Sequence, residues 1–134
     1  MAELTHPIQE AERYLSNARN ILSEKAEKNG DYYNDRDRKH IKKAGNTAWD
    51  GVSLALDAVF GIKRNKKKWV NIKDYQSAMA EKDPKMTKPL YSTYATLCLA
   101  LGCDGTLSCN IVQIGFEQAE EMINWAAKQY KQAS

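Results

Sequence analysis

The sequence has little proline, glycine, histidine or cysteine, and each shortage excludes a class of protein. Three prolines and seven glycines among 134 residues exclude a collagen-like chain and a disordered one. Three cysteines are an odd count without zinc-ligand spacing, which predicts free thiols in a reducing cytosol. The apolar runs fall far short of the ~18 residues that a membrane span needs, and the mean hydropathy is −0.66. We therefore expect no membrane as a partner.

The amino terminus also lacks the features of an export signal. Residues 1–7 carry neither a basic stretch nor an apolar one, so secretion by a standard signal is not expected. The length of 134 residues, with 43% hydrophobic and 28% charged residues, is that of one globular domain. The sequence therefore predicts a single cytoplasmic domain over residues 1–134.

Apolar residues recur at helical spacing, and no segment shows sustained strand alternation bounded by hairpin turns. The first stripe begins at Ile8 and ends at Ala26, in steps of three and four residues. Pro7 lies in the first turn of this helix, and we expect Asn29 and Gly30 to stop it.

The longest predicted helix begins at Asp35 or Arg38 and ends at Phe60. It is apolar around most of its circumference and polar along one narrow strip, which is typical of the central helix of a bundle. Gly45 and Gly51 lower its helix propensity, so we expect another helix to approach closely there.

Three further helices follow. Asn71 resembles the start of a capping box for a short helix that ends near Lys82, Pro89 lies in the first turn of the next helix, and Thr106 or Ser108 caps the last. The connections are short. The sequence therefore predicts an all-α, up-and-down antiparallel helical bundle of four long helices plus one short helix.

The usual chemical motifs are missing. A di-metal bundle needs Glu-x-x-His pairs, and the two histidines, His6 and His40, belong to a chain end and a helix start. Cys98, Cys103 and Cys109 have four and five residues between them and are expected to be packing thiols. No Gly-x-Ser-x-Gly elbow, Walker loop or Gly-x-Gly-x-x-Gly occurs. We expect no metal, no cofactor and no catalytic residue.

The polar strip of the central helix is the first candidate site. It carries Asn46, Asp50, Ser53 and Asp57. Its two carboxylates are ~10 Å apart along the helix axis, so they could line a groove that binds a cation, a basic peptide or a sugar. The alternative is a solvated strip on an otherwise buried helix.

A run of basic residues is the second candidate site, for nucleic acid or a protein partner. It comprises Lys63, Arg64, Lys66, Lys67 and Lys68, followed by Trp69. A second cluster, residues 36–43, carries five basic groups and one acidic group and lies ~30 Å away at the other end of the central helix. Lysine and arginine near aromatic rings are typical of surfaces that bind phosphates and stack on bases. The alternative is a solvated loop or a protein contact.

Two segments resemble a known family. Residues 11–22, AERYLSNARNIL, resemble the opening helix of HEPN (higher eukaryote and prokaryote nucleotide-binding) domains, and residues 48–60, AWDGVSLALDAVF, resemble their second helix. The chain is also similar to small bacterial helical bundles grouped only as a domain of unknown function. The resemblance implies a bundle that often dimerises, and either RNA cleavage or partnership with a nucleotidyltransferase.

The sequence departs from the catalytic members of that family. Their ribonucleases carry arginine, four to six residues, and then histidine. No arginine precedes His6, and His40 would need arginine at 33, 34 or 35, where tyrosine, asparagine and aspartate stand. The ribonuclease role therefore does not transfer. We expect a non-catalytic binding or interaction module; the alternative is an RNA-contacting toxin–antitoxin-type component that partners a nucleotidyltransferase.

Two expectations concern packing. The central helix has more apolar surface than four helices of one chain can cover, so we expect a homodimer that reuses one patch on both subunits. Trp49 and Trp125 are expected in the core, and Trp69 in or beside the basic loop.

Overall fold

Four long helical segments and one short helix carry the chain through the described residues, 6–62 and 71–133 of this computed structural model. The helices are α1 (Pro7–Lys25), α2 (Arg38–Phe60), α3 (Ile72–Lys82), α4 (Thr87–Tyr94) and α5 (Cys109–Ala133). A π-helical segment, Ala95–Cys103, continues α4 without a break. Strands β1 (Lys28–Asn29) and β2 (Tyr32–Tyr33) form a short hairpin, and 3-10 turns over Asp35–Asp37 and Pro84–Met86 precede α2 and α4. The predicted all-α bundle is confirmed.

Local signals fix most helix ends. The Asn71 side chain accepts a hydrogen bond from the Lys73 amide, and Asp74 accepts one from the Asn71 amide, so the predicted capping box is confirmed. Gly61 ends α2 in the left-handed conformation at φ 67°. Of the two predicted caps for the last helix, Ser108 accepts from the Ile111 amide.

Helix α1, the π segment and α5 all pack on α2. An added Cβ at Gly51 would lie 2.8 Å from the Ala11 carbonyl oxygen of α1, and one at Gly45 would lie 2.5 Å from the Leu101 Cβ of the π segment. Both glycines therefore lie at the close helix approaches that the sequence predicts. The core centres on α2, with Ile41, Val52 and Leu56 fully buried. No helix within the described ranges is long and apolar enough to cross a bilayer.

The segment after α1 differs from the expectation. Helix α1 ends at Lys25, before Asn29 and Gly30, and those residues belong to the β-hairpin instead of a helix stop. Gly30 has φ 68° and opens a two-residue loop, where a positive φ at the first position favours glycine. Two-residue strands are too short for alternation to show in the sequence, so the hairpin was not expected.

The tryptophans are less buried than predicted. Trp49 and Trp125 are half-buried at the edge of the core, and Trp69 lies outside the described residues. Tyr75 is the aromatic residue that is fully buried, at 1% exposure. Its ring centroid lies 6.2 Å from that of Trp49. The Trp125 indole donates to the Asp83 carboxylate at 3.0 Å, which explains its position beside the polar rim.

Candidate functional site

The structure does not describe the predicted basic run. Lys63, Arg64, Lys66, Lys67, Lys68 and Trp69 fall outside the described residues, so their role stays a prediction. The second basic cluster is described, and two of its members are ion-paired. Arg36 pairs with Glu27 at 2.6 Å, and Arg38 pairs with Asp35 at 2.7 Å. Arg38 also donates to the Gly105 carbonyl, which ties the start of α2 to the end of the π segment.

The polar strip of α2 faces other helices along part of its length. Ser53 is buried at 2% exposure, and Asp57 accepts a hydrogen bond from the Tyr75 hydroxyl of α3 at 2.7 Å. Asn46 lies against Gly102 of the π segment, whereas Asp50 is exposed. The strip is therefore not wholly solvated. Its use as a binding groove stays a prediction.

The Cys98 thiol shows how closely the π segment packs on α2. Burial raises the pKa of Cys98 to about 12, and the Cys103 thiol and the Asp50 carboxylate act in the same direction. A thiol of this kind is a poor nucleophile at neutral pH, because little of it is thiolate. All three cysteines are free. Cys98 is therefore a packing thiol as predicted, whereas Cys103 is exposed and the same prediction is wrong there.

A cleft between α1, the β-hairpin and α5, here called the α1–α5 cleft, was not predicted from the sequence. Its volume is about 580 Å³, within the ~300–1,000 Å³ typical of small-molecule sites. Leu22, Ala26 and Val112 form an apolar floor, and the rings of Tyr33 and Phe116 also line it. The polar residues of the lining are Arg19, Ser23, Lys28, Cys109, Gln113 and Glu117.

Backbone hydrogen bonds hold the hairpin wall of this cleft. The Tyr33 amide donates to the Leu107 carbonyl at 2.8 Å, and the Cys109 amide donates to the Asp31 carbonyl at 3.0 Å. The hairpin is thus bonded to the segment that leads into α5, on both sides of Ser108. Such bonds preorganise the wall, which lowers the entropy cost of binding a ligand there.

Each end of the cleft has a cation beside an aromatic ring. The Lys28 ammonium lies 6.0 Å from the centroid of Tyr33, and the Arg19 guanidinium carbon lies 5.9 Å from that of Phe116. Arg19 also pairs with Glu120 at 3.1 Å. Lys28 makes no ion pair with any described residue. The two ends therefore differ in net charge.

The Tyr33 hydroxyl belongs to the Lys28 end. Burial raises the pKa of Tyr33 above its usual value of 10.0, and Cys109 adds to the rise, so the phenol is neutral at pH 7. This hydroxyl has no hydrogen-bond partner among the described residues. A neutral phenol of this kind can donate to a bound acceptor. The cleft therefore offers apolar contact, one unpaired cation and one hydroxyl donor.

Sequence reasoning missed this cleft because its residues come from three separated segments, 19–28, Tyr33 and 109–117. One signal was present. Tyr33 follows Asn29 and Gly30, and glycine after asparagine beside aromatic residues is typical of a hairpin turn. A hairpin at that point would have placed Lys28 and Tyr33 side by side.

Comparison with known proteins places the chain in a family. Residues 6–128, which include the whole cleft, match the family described as Domain of unknown function (DUF5618). The fold is similar to a solved structure, a protein of unknown function from Dyadobacter fermentans, with 36% sequence identity and a TM-score of 0.81 over 92% of this chain and 94% of that chain. No curated protein matches the chain. The extent of both matches shows that the chain belongs to the family described as Domain of unknown function (DUF5618).

Proposed function

We propose that the protein is a non-catalytic binding module that holds a small organic molecule in the α1–α5 cleft. The observation that carries this proposal is an open volume of about 580 Å³ whose floor is apolar and whose wall is hydrogen-bonded in place. Small-molecule sites are usually clefts of this volume in which apolar side chains contact the ligand and polar groups orient it. Contact with Leu22, Val112 and Phe116 supplies affinity, and the polar edge supplies orientation.

The groups around the cleft support binding in preference to catalysis. The chain has two histidines, and neither His6 nor His40 lines the cleft. The Glu117 carboxylate accepts a hydrogen bond from Gln113 at 3.2 Å, and the Tyr33 phenol has a raised pKa. General acid–base catalysis needs a group whose pKa lies near the working pH. A phenol that titrates above 10 does not meet that need.

A neutral fluorescent probe tests this function. N-phenyl-1-naphthylamine, which brightens in apolar surroundings, is expected to bind with a micromolar Kd. The variant Ser23→Trp should weaken binding at least about tenfold, because an indole at this exposed lining position occupies the volume that the probe needs. Asn17→Trp adds the same indole at an exposed position of α1 outside the cleft lining and serves as the control.

Two outcomes would contradict the proposal. One is wild-type protein that does not brighten the probe at concentrations up to ~100 μM, a weak limit for an apolar site. The other is Ser23→Trp and Asn17→Trp binding the probe equally well, which would place the probe elsewhere on the surface. Far-UV circular dichroism of both variants checks that the bundle is intact.

The basic run supports RNA contact as a second function. Five basic residues over 63–68, followed by Trp69, have the composition of a phosphate-binding and base-stacking surface. The HEPN resemblance favours the same partner and would make a nucleotidyltransferase the protein partner.

A salt titration tests RNA contact. Affinity for single-stranded RNA should fall with salt at a log–log slope of about −0.7 per neutralised phosphate, so replacing Lys66, Lys67 and Lys68 together by alanine should flatten the slope by about two units. The control replaces Lys82, Lys85 and Lys88, which are exposed outside both basic clusters. Absence of wild-type binding at ~50 mM salt, or equal slopes for the two triple variants, would argue against this function.

Location and self-association also belong to the proposal. Three free thiols support a reducing cytosol as the place where the protein works. For a homodimer, the support is three large apolar side chains that are 38–40% exposed, Leu99, Ile111 and Ile114; they lie on the π segment and α5 and not on the central helix, where the sequence places the surplus.

A further inference from the structure

We infer that the α1–α5 cleft selects an aromatic carboxylate, with the carboxylate at Lys28 and the aromatic body along the floor toward Phe116. This inference rests on the proposed binding function and names the chemical class of its ligand. It follows from three properties of the cleft: the different charge of its two ends, its length, and the residues between them.

The Lys28 end is the positive one. Lys28 has no ion-pair partner among the described residues, and the first turn of the adjacent α5 contains no acidic residue. The Tyr33 hydroxyl, also unpartnered among those residues, lies at the same end. A carboxylate beside Lys28 would gain a charge-assisted hydrogen bond from the ammonium, and the neutral phenol is a second donor in the lining at that end.

The Arg19 end does not offer the same charge. Arg19 is paired with Glu120, and the Glu117 carboxylate also lines the cleft there. A ligand carboxylate at this end would approach Glu117 and compete with Glu120 for the guanidinium. Like charges in contact are unfavourable. The ligand is therefore held in one orientation, with its acidic group toward the hairpin.

The floor fixes the size of the rest of the ligand. Cys109, which lines the Tyr33 end of the cleft, and Phe116, which lines the Arg19 end, are seven residues apart on α5, which corresponds to ~10 Å along a helix. Between them lie the apolar Leu22 and Val112 beside the polar Ser23 and Gln113, and an aromatic ring stands at each end. Aromatic rings favour edge-to-face or offset contact with another ring. Two fused rings that carry one carboxylate match this length.

Displacement of the neutral probe tests the inference with matched ligands. 2-Naphthoate and 2-naphthamide have the same rings and similar size, and at pH 7.5 the first is an anion, since a carboxyl group titrates near ~4. In wild-type protein, 2-naphthoate should displace N-phenyl-1-naphthylamine at about fivefold lower concentration than 2-naphthamide, the upper range for an exposed ion pair. Raising salt to ~1 M should reduce that ratio, because the Debye length falls to ~3 Å.

Lysine variants assign the preference to one side chain. Lys28→Gln should bring the ratio to about one, because glutamine keeps a hydrogen-bond donor for both ligands and removes the charge that pairs only with the carboxylate. Lys25→Gln removes an exposed cation from the last turn of α1, outside the cleft lining, and should keep the wild-type ratio.

The outcomes separate the two proposals. A wild-type ratio near one, a Lys28→Gln ratio that stays near fivefold, or failure of both naphthalenes to displace the probe would overturn the inference and leave the binding function standing. If the neutral probe itself does not bind, or binds Ser23→Trp and Asn17→Trp equally, the binding function fails and the inference fails with it. The ratio of the 2-naphthamide to the 2-naphthoate concentration that displaces the probe therefore measures selection for the ligand's charge.

Discussion

Replacing Tyr75 with alanine is expected to lower the free energy of unfolding by about 3–5 kcal/mol, the usual cost of removing a buried aromatic side chain. Tyr75 is 1% exposed and is the largest of the fully buried side chains. Its ring meets Trp49 edge-on, and its hydroxyl donates to Asp57 at 2.7 Å. The side chain thus joins the short helix α3 to the central helix through both apolar contact and a hydrogen bond.

Urea melts followed by far-UV circular dichroism measure this loss. Ser77→Ala, an exposed position two residues along α3, is the control and should change stability by less than about 0.5 kcal/mol. Tyr75→Phe separates the two contributions, because it keeps the ring and removes the donor to Asp57; a loss of about 1–2 kcal/mol is expected. A loss below about 1 kcal/mol for Tyr75→Ala would mean that α3 contributes little to the core.

The same residue shows where sequence reasoning ends. Trp49 has the spacing of a core residue, and the structure leaves it half-buried, with Tyr94 also against its ring at 5.5 Å. Helical spacing shows which face of a helix is apolar. It does not show how deeply each ring is buried between two helices, because that depends on where α3 lies across α2. The choice between Trp49 and Tyr75 is therefore made by tertiary packing.

The bundle was predictable for a related reason. Three signals indicated the helices: apolar residues at steps of three and four, proline near helix starts, and the Asn71 capping box. Each signal depends only on residues within one helix, so each can be found in the sequence. The α1–α5 cleft depends on how the hairpin and two helices come together, since Lys28, Tyr33 and Phe116 line it from different elements. Nothing in the local pattern of α1 or α5 shows that the hairpin lies between them.

The π segment is a second feature that the pattern does not show. Ala95–Cys103 is rich in leucine and alanine and is apolar on every side, so its periodicity gives no helix type. Hydrogen bonds from i to i+5 widen the turn, as with the Asp104 amide, which donates to the Leu99 carbonyl at 2.9 Å. The widened segment packs directly on α2 at Gly45.

Replacing Gly45 with valine is expected to cost about 3 kcal/mol of unfolding free energy, at the upper end for overpacking. An added Cβ would lie 2.5 Å from the Leu101 Cβ and 2.7 Å from the Leu97 carbonyl oxygen. The second contact is with backbone, which cannot rotate away as a side chain can. Valine therefore forces the π segment away from α2, and this cost exceeds any gain in helix propensity from replacing glycine.

Reactivity of Cys98 gives a second readout for the same variant. Its thiol has a pKa of about 12 because of burial, so at pH 8 it should react slowly with a thiol reagent such as dithionitrobenzoate, whereas Cys103 is exposed. Displacing the π segment in Gly45→Val exposes Cys98, which lowers its pKa and speeds its modification. Gly45→Ala should also lose stability and speed the modification of Cys98, each by a smaller amount.

Lys43→Val is the control. It places the same branched side chain at an exposed position of α2, so it should leave the Cys98 rate unchanged. Equal stability and equal Cys98 rates in Gly45→Val and Lys43→Val would show that α2 and the π segment do not meet at Gly45.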